Sequence, residues 1–273
     1  SSDLGIAQTK LANVRAVSSD DLIYGGDMSK WEKFGNTLKL RLALHYAKED
    51  GGAKLNAILA SGGPFMSSPA DNFQMTFEST TARQNPIQQF ETSRTDYYAP
   101  SQFFVNLMNG KSDPRRAVYF TTYPATTAVT NTSVPPYVGT PSNATQTNPN
   151  SRIHTYLRGA VVSDTYPAVS SRVGTTTNTG VNGQGAPTAI AVTYDGTAPL
   201  RMLLYSEYCF IRAEATLTLG APAANAQAQT AGGSTFSANT FTTAQDWYQQ
   251  GIRASMADCN AVVTGAIPAA SIT

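Results

Sequence analysis

The sequence predicts a mainly α protein: a scaffold of paired helices carrying long irregular loops and a few short strands. Three observations predict it. Residues 22–47 and 199–219 each place apolar side chains on two helical faces, the pattern of a helix packed between other helices. Shorter helical signals at 53–60 and 243–256 supply partners for them. Residues 121–198 lose helical periodicity and fill with Thr, Ser, Asn, Gly and Pro.

The elements follow in chain order. Ser1 to Val14 reads as the end of a helix, with Leu4, Ile6, Leu11 and Val14 apolar. Gly25-Gly26 supplies a turn that needs permissive backbone. Asp27 or Ser29 then caps a helix, and Glu32 stands three residues after Ser29 as in a capping box. Trp31, Phe34, Leu38, Leu42 and Tyr46 form one stripe; Leu40, Leu44 and Ala47 form a second. The helix of residues 29–48 stops at Gly51. A second runs from Ala53 to Ala60, so the two make a helix hairpin.

Residues 65–95 read as irregular, with a short strand over Phe73, Met75 and Phe77 and a turn at Asn85-Pro86. Pro100-Ser101 opens a helix that Asn109-Gly110 ends. Within 121–198, short strands are expected near His154–Val162 and Ala189–Tyr194, because a structureless run of that length does not suit a compact domain. Pro199 suits the first position of the next helix, which Gly220 and Pro222 stop. Residues 221–241 read as an Ala/Gln/Ser linker. Thr243 and Asp246 cap the last helix, in which Trp247, Gly251, Ile252 and Met256 indicate close packing.

Several of these segments resemble the SusD/RagB-type nutrient-binding lipoproteins. The run IYGGDMSKWEKFGNTLKLRLALHYA is similar to a segment typical of that family. So are the strand at Asp71-Asn72-Phe73, the Asp113-Pro114-Arg115 motif, the helix SEYCFIRAEATLTLG and the "GI-x-ASM" ending at Met256. The likeness covers most of residues 20–120 and 199–257. It implies a tetratricopeptide-like helix-pair scaffold, although no 34-residue repeat consensus is visible. We read residues 1–273 as one such domain, a fragment of a longer protein, with 121–198 a loop-rich insertion bearing the ligand-facing surface.

Composition narrows the classes. A formal charge of +1 without a basic cluster gives nucleic acid no electrostatic footprint. No stretch reaches the ~20 apolar residues of a membrane span. Two cysteines, Cys209 and Cys259, make neither a disulfide framework nor a metal site; Cys209 lies in a predicted helix and reads as a buried free thiol. The sequence has no initiator Met, signal peptide or lipidation cysteine near Ser1, so the natural start is expected to lie outside it.

An enzyme is not expected. Glu207 and Glu214 share a helix face but read as structural ion pairs. His45 borders a buried stripe, His154 has no ligand cluster around it, and Glu91 is a loop carboxylate with nothing to mark it. Nucleophile elbows, phosphate loops and dinucleotide fingerprints are missing, so no cofactor or metal is implied. Binding is the better reading. An aromatic ring stacks on the C–H face of a sugar while neighbouring polar groups bond its hydroxyls. Tyr97-Tyr98 beside Arg94, Tyr137, Tyr156 beside Arg152, and Tyr166 are the candidates. Trp31 and Trp247 sit at core spacing and read as packing.

The resemblance implies a cell-surface lipoprotein of an outer membrane. It would be held by a lipid anchor absent from this chain, capture oligosaccharide, and deliver it to a SusC/RagA-like TonB-dependent transporter barrel. An oligopeptide ligand and a structural surface protein remain as alternatives.

Overall fold

Asp27 starts the longest helix. Its carboxylate accepts the backbone N–H groups of Ser29 and Lys30, and the hydroxyl of Ser29 donates to it at 2.6 Å. The cap is therefore Asp27, and Ser29 is a cap partner rather than the head of a capping box. Ahead of it, Asp21 organises the Gly25-Gly26 turn by accepting N–H bonds from Ile23, Tyr24 and Gly26 and the Trp31 indole at 2.8 Å. Both glycines take positive φ, as the turn requires. Desolvation opposes the charge on Asp21, but these four donors outweigh it and hold its carboxyl down at about 2.

The computed structural model describes residues 20–94, 97–121, 137–142, 151–164, 192–221, 229–231, 234–236, 241–262 and 267. The reading of Ser1 to Val14 as a helix end lies outside them. The chain divides into two compact units. One takes Ser1–Met75, Leu200–Asp258 and Ala269–Thr273; the other takes Thr76–Pro199 and Cys259–Pro268.

The first unit is helical. α1 (Met28–Asp50) ends at Gly51 in the left-handed region, and α2 (Ala53–Ala60) folds back on it. α1 turns Leu40, Ala43 and Ala47 inward. The other predicted stripe is only partly covered: Leu42 and Tyr46 are 45% and 47% exposed and line an open groove with Ala57 and Ile58. β1 (Phe73–Met75) pairs antiparallel with a later strand, Leu200–Leu203, with Phe73 opposite Leu203. That strand overturns the expected start of the next helix. Pro199 does not open it, and the helix runs only over Tyr205–Leu219, ended by Gly220 at positive φ. Strand pairing over a long sequence separation overrode the local apolar spacing.

The expected linker contains a small hairpin, Gln229–Ala231 with Ser234–Phe236. The last helix, Ala244–Val262, opens on a reciprocal cap: Thr243 N–H donates to Asp246 at 2.8 Å and Asp246 N–H donates to the Thr243 hydroxyl. Trp247 is fully buried, stacked on Phe241 at 4.5 Å and set edge-on to Tyr208, with the Arg212 guanidinium 4.5 Å over its ring. A Cβ at Gly251 would stand 2.7 Å from the Phe210 ring, so this helix approaches its neighbour at a distance only glycine allows. Arg41 pairs with Glu207 at 3.2 Å, while His45, expected at the edge of a buried stripe, is exposed.

The second unit uses short elements. α3 (Pro86–Ser93) occupies sequence that reads as irregular. The Asn85 side-chain amide oxygen accepts Ile87 N–H at 2.8 Å and Pro86 takes the first turn, so Asn85-Pro86 is a helix start and not a free turn. α4 (Gln102–Gly110) and α5 (Arg116–Tyr119) follow, with Val105, Met108 and Phe120 forming a small core. Asp113 accepts from the Arg115 side chain, which fixes the turn between them. Residues 155–158 form one helical turn, α6 (Thr155–Arg158), where the start of a strand was expected. The strand is β2 (Val161–Asp164), antiparallel to β3 (Val192–Tyr194). Among the described residues the sheets are three, each two-stranded.

Candidate ligand-binding site

The second unit brings two of the predicted tyrosines together on one helix end. α3 turns Gln88 and Glu91 inward and carries Phe90 beside them. The backbone N–H of Tyr98 donates to Oε1 of Glu91 at 2.6 Å, which draws the chain after α3 back over its last turn. Phe90 then meets Tyr97 edge-on at 5.2 Å and Tyr98 at 5.1 Å, and the two tyrosine rings stand 6.2 Å apart at right angles. Tyr97 and Tyr98 remain 53% and 42% exposed. The exposed Arg94, which closes α3, lies 5.7 Å over Phe90. The result is an open aromatic platform with a guanidinium at its edge. It offers flat apolar faces, two phenolic hydroxyls and five N–H donors, and no nucleophile poised beside a base.

The other predicted residues fall elsewhere. Tyr137 and Tyr156 belong to a second cluster with Phe104, Tyr119 and Phe120. The Tyr156 ring packs edge-on against Tyr119 at 4.6 Å, and Tyr137 lies against Phe120 with the Arg116 guanidinium 5.4 Å over its face. Burial raises the Tyr137 phenol above its ordinary value, with Arg116 acting against it. Both rings are half-buried. Arg152 is only 3% exposed; its N–H donates to the Thr121 hydroxyl and its carbonyl accepts Thr121 N–H, so its backbone is tied into a buried pairing. Tyr166 lies outside the described residues.

Beneath α3 is a polar network. Gln88 accepts from Arg158 Nε at 2.7 Å, Arg158 lies 4.2 Å over the Tyr194 ring, and the Tyr194 hydroxyl meets His154 Nδ1 at 2.7 Å. Burial, with Arg158 adding to it, holds the His154 imidazole down at about 4, so it is neutral at physiological pH.

Sequence reasoning missed Phe90 and set Glu91 aside. The available signal was the Asn85-Pro86 pair read as cap and first helical position, which puts Phe90 and Glu91 on the second turn. Among the described residues no three His, Cys, Asp or Glu side chains group to hold a metal ion, and no helix is long and apolar enough to cross a membrane.

A family profile described as starch-binding and associating with the outer membrane, SusD-like, matches residues 2–267. The chain belongs to the SusD-like family. Its backbone is similar to solved SusD homologues from Bacteroides fragilis (20% identity, TM-score 0.62, covering 97% of this chain and 48% of that one) and Bacteroides uniformis (23%, 0.60, 95% and 43%). It is also similar to a chitin-binding SusD homologue from Flavobacterium johnsoniae (21%, 0.58, 97% and 44%). These likenesses establish the helical SusD-like fold. The chain spans less than half the length of each of these three structures. No curated protein matches it.

Proposed function

We propose that this SusD-like chain is a non-enzymatic nutrient-binding protein that captures oligosaccharide at the Phe90–Tyr97–Tyr98 platform. The observation that carries the reading is the exposure of two adjacent tyrosine rings that pack on Phe90, with the Tyr98 backbone bonded to the buried Glu91. Aromatic faces grouped in one exposed patch are the kind of surface a ligand covers. A pyranose stacks its C–H face on Tyr97 or Tyr98, and Arg94 and the phenolic hydroxyls bond its oxygens. The second cluster, through Tyr137 and Tyr156, extends the contact surface, with Arg152 and Tyr166 kept from the sequence reading as further members. The family description, starch-binding and associated with the outer membrane, supports a glycan over a peptide. The same description supports an association with the outer membrane; the sequence resemblance extends the proposal to its cell-surface face, with a lipid anchor and hand-over of ligand to a SusC/RagA-like TonB-dependent barrel.

The test is a glycan and peptide array probed with the full chain, repeated with Tyr97→Ala/Tyr98→Ala. Binding to starch-type or chitin-type oligosaccharides, lost about tenfold or more in the variant, is the expected result. Binding to peptides alone, or sugar binding indifferent to both tyrosines, overturns it. For delivery, gentle extraction from the native membrane followed by native mass determination should recover the protein with a barrel of transporter size; recovery alone sinks the transporter step.

A further inference from the structure

Glu91 is 2% exposed, yet it makes a 2.6 Å bond to the backbone N–H of a residue whose ring is exposed. Burying a carboxyl group is costly unless it is hydrogen-bonded, and here the bond comes from the loop amide of Tyr98. Glu91 adjoins Phe90 in sequence, so the residue that holds the Tyr98 backbone is fixed on the same helical turn as the ring that Tyr97 and Tyr98 pack against. Helix, ring and acceptor thus form one rigid base, and Arg94 N–H closes that turn on the Phe90 carbonyl at 2.8 Å.

We propose that Glu91 is a positioning residue for the ligand site: its carboxylate clamps the Tyr98 backbone and so presets the Tyr97–Tyr98 platform before sugar arrives. The inference rests on the glycan-binding reading above. An unclamped tyrosine pair samples many rotamers, and ordering them on binding subtracts from affinity. The clamp moves that ordering cost into folding. Only an acceptor oxygen is needed at this position; the negative charge itself is dispensable for geometry, which separates the two obvious substitutions.

Three full-length chains are compared: wild type, Glu91→Gln, which keeps an acceptor oxygen, and Glu91→Leu, which keeps volume and loses it. Tyr98 amide exchange is measured by NMR. Affinity for maltohexaose and N-acetylchitohexaose is measured by calorimetry. In the wild type the Tyr98 amide exchanges about tenfold more slowly than an open loop amide, the protection one hydrogen bond gives. Glu91→Leu abolishes that protection and weakens sugar binding about tenfold, with stoichiometry and far-UV dichroism unchanged. Glu91→Gln stays within about threefold of wild type in both.

An unprotected Tyr98 amide in the wild type overturns the clamp without any variant, which covers the case where Glu91→Leu does not fold. Lost protection with unchanged sugar affinity overturns its role in binding. If Tyr97→Ala/Tyr98→Ala binds both sugars as wild type does, or wild type binds neither, the glycan reading falls and takes this inference with it, whatever the exchange rates are.

Discussion

Each unit holds an aromatic cluster that contrasts with one in the other unit. The first buries Tyr205, Tyr208, Phe241 and Trp247 completely or nearly so, tied by ring contacts to the Arg212 guanidinium. The second gathers Tyr97 and Tyr98 on a half-buried Phe90 and leaves the two tyrosines open. The difference lies in what surrounds the rings. The first unit has long helices that provide facing surfaces. The second has helices of four to nine residues, too short to cover an aromatic cluster on both sides, and a hydrogen bond from the Tyr98 backbone to the buried Glu91 holds the platform. A large ring is a stability element in one place and a contact surface in the other.

Paired substitutions test that contrast most strongly. Trp247→Ala should cost about 3–5 kcal/mol, because it opens a cavity beneath Phe241 and Tyr208 and leaves Arg212 without its stacking partner. Tyr98→Ala should stay within about 0.5 kcal/mol of wild type in stability. Urea unfolding reads both. Similar costs at the two sites would erase the distinction between core and platform.

The units also carry opposed proton switches. In the first, Asp258 is buried, with one oxygen accepting from Asn72 Nδ2 at 2.8 Å and the other with no hydrogen-bond partner among the described residues; Asn72 in turn accepts Tyr205 N–H. Burial raises the Asp258 carboxyl from 3.8 to about 6, against the pull of Asn72 and Arg201. The folded state therefore holds that proton more tightly than the unfolded chain does, and the stability this contributes is lost as pH rises from about 4 through 6. His154, lowered from 6.5 to about 4, does the reverse: its contribution is present above pH 6.5 and lost as pH falls to about 4. Each is worth roughly 3 kcal/mol at its extreme, so they nearly cancel in the wild type. Melting temperatures from pH 7 to 4 should show this. Asp258→Asn should become acid-labile and His154→Gln acid-stabilised. An imidazole that titrates near 6.5 by NMR would refute the His154 half directly.

Much of the first unit was legible in the sequence, and less of the second. α2 (Ala53–Ala60) and the Thr243–Asp246 cap are local, periodic and bounded by Gly or Thr, so spacing alone locates them. Residues 200–203 were not legible, because their strand identity comes from Phe73–Met75, more than a hundred positions away. Leu42 and Tyr46 fit a buried stripe by spacing, but periodicity says which side chains share a face and not whether another element covers it. At the site, Tyr97, Tyr98 and Arg94 stand out as loop residues of suitable chemistry. Glu91 does not, since its role depends on a helix that Asn85-Pro86 disguised as a turn. The burial of Arg152 was hidden for a similar reason: Thr121 pairs with its backbone from thirty-one residues away.

The helix starts give the smallest and most local version of the same contrast. Asp27 caps α1 from an exposed position, and water replaces its bonds when they are lost; Asp27→Ala should cost about 1 kcal/mol. Asn85 caps α3 while buried, and its amide also donates to the Ala198 carbonyl at 2.7 Å. Asn85→Ala orphans the half-buried Ile87 N–H and the buried Ala198 carbonyl, so about 2 kcal/mol is expected. The two should differ further in what they disturb. Asp27→Ala leaves the Tyr97–Tyr98 platform alone and binds sugar as wild type does. Asn85→Ala loosens the helix that carries Phe90 and Glu91, and should weaken sugar binding several-fold in calorimetry, on the scale of one lost buried hydrogen bond. Equal affinity in both variants would mean that α3 does not set the platform, and the rigidity of the site would have to come from the segment after Tyr98 instead.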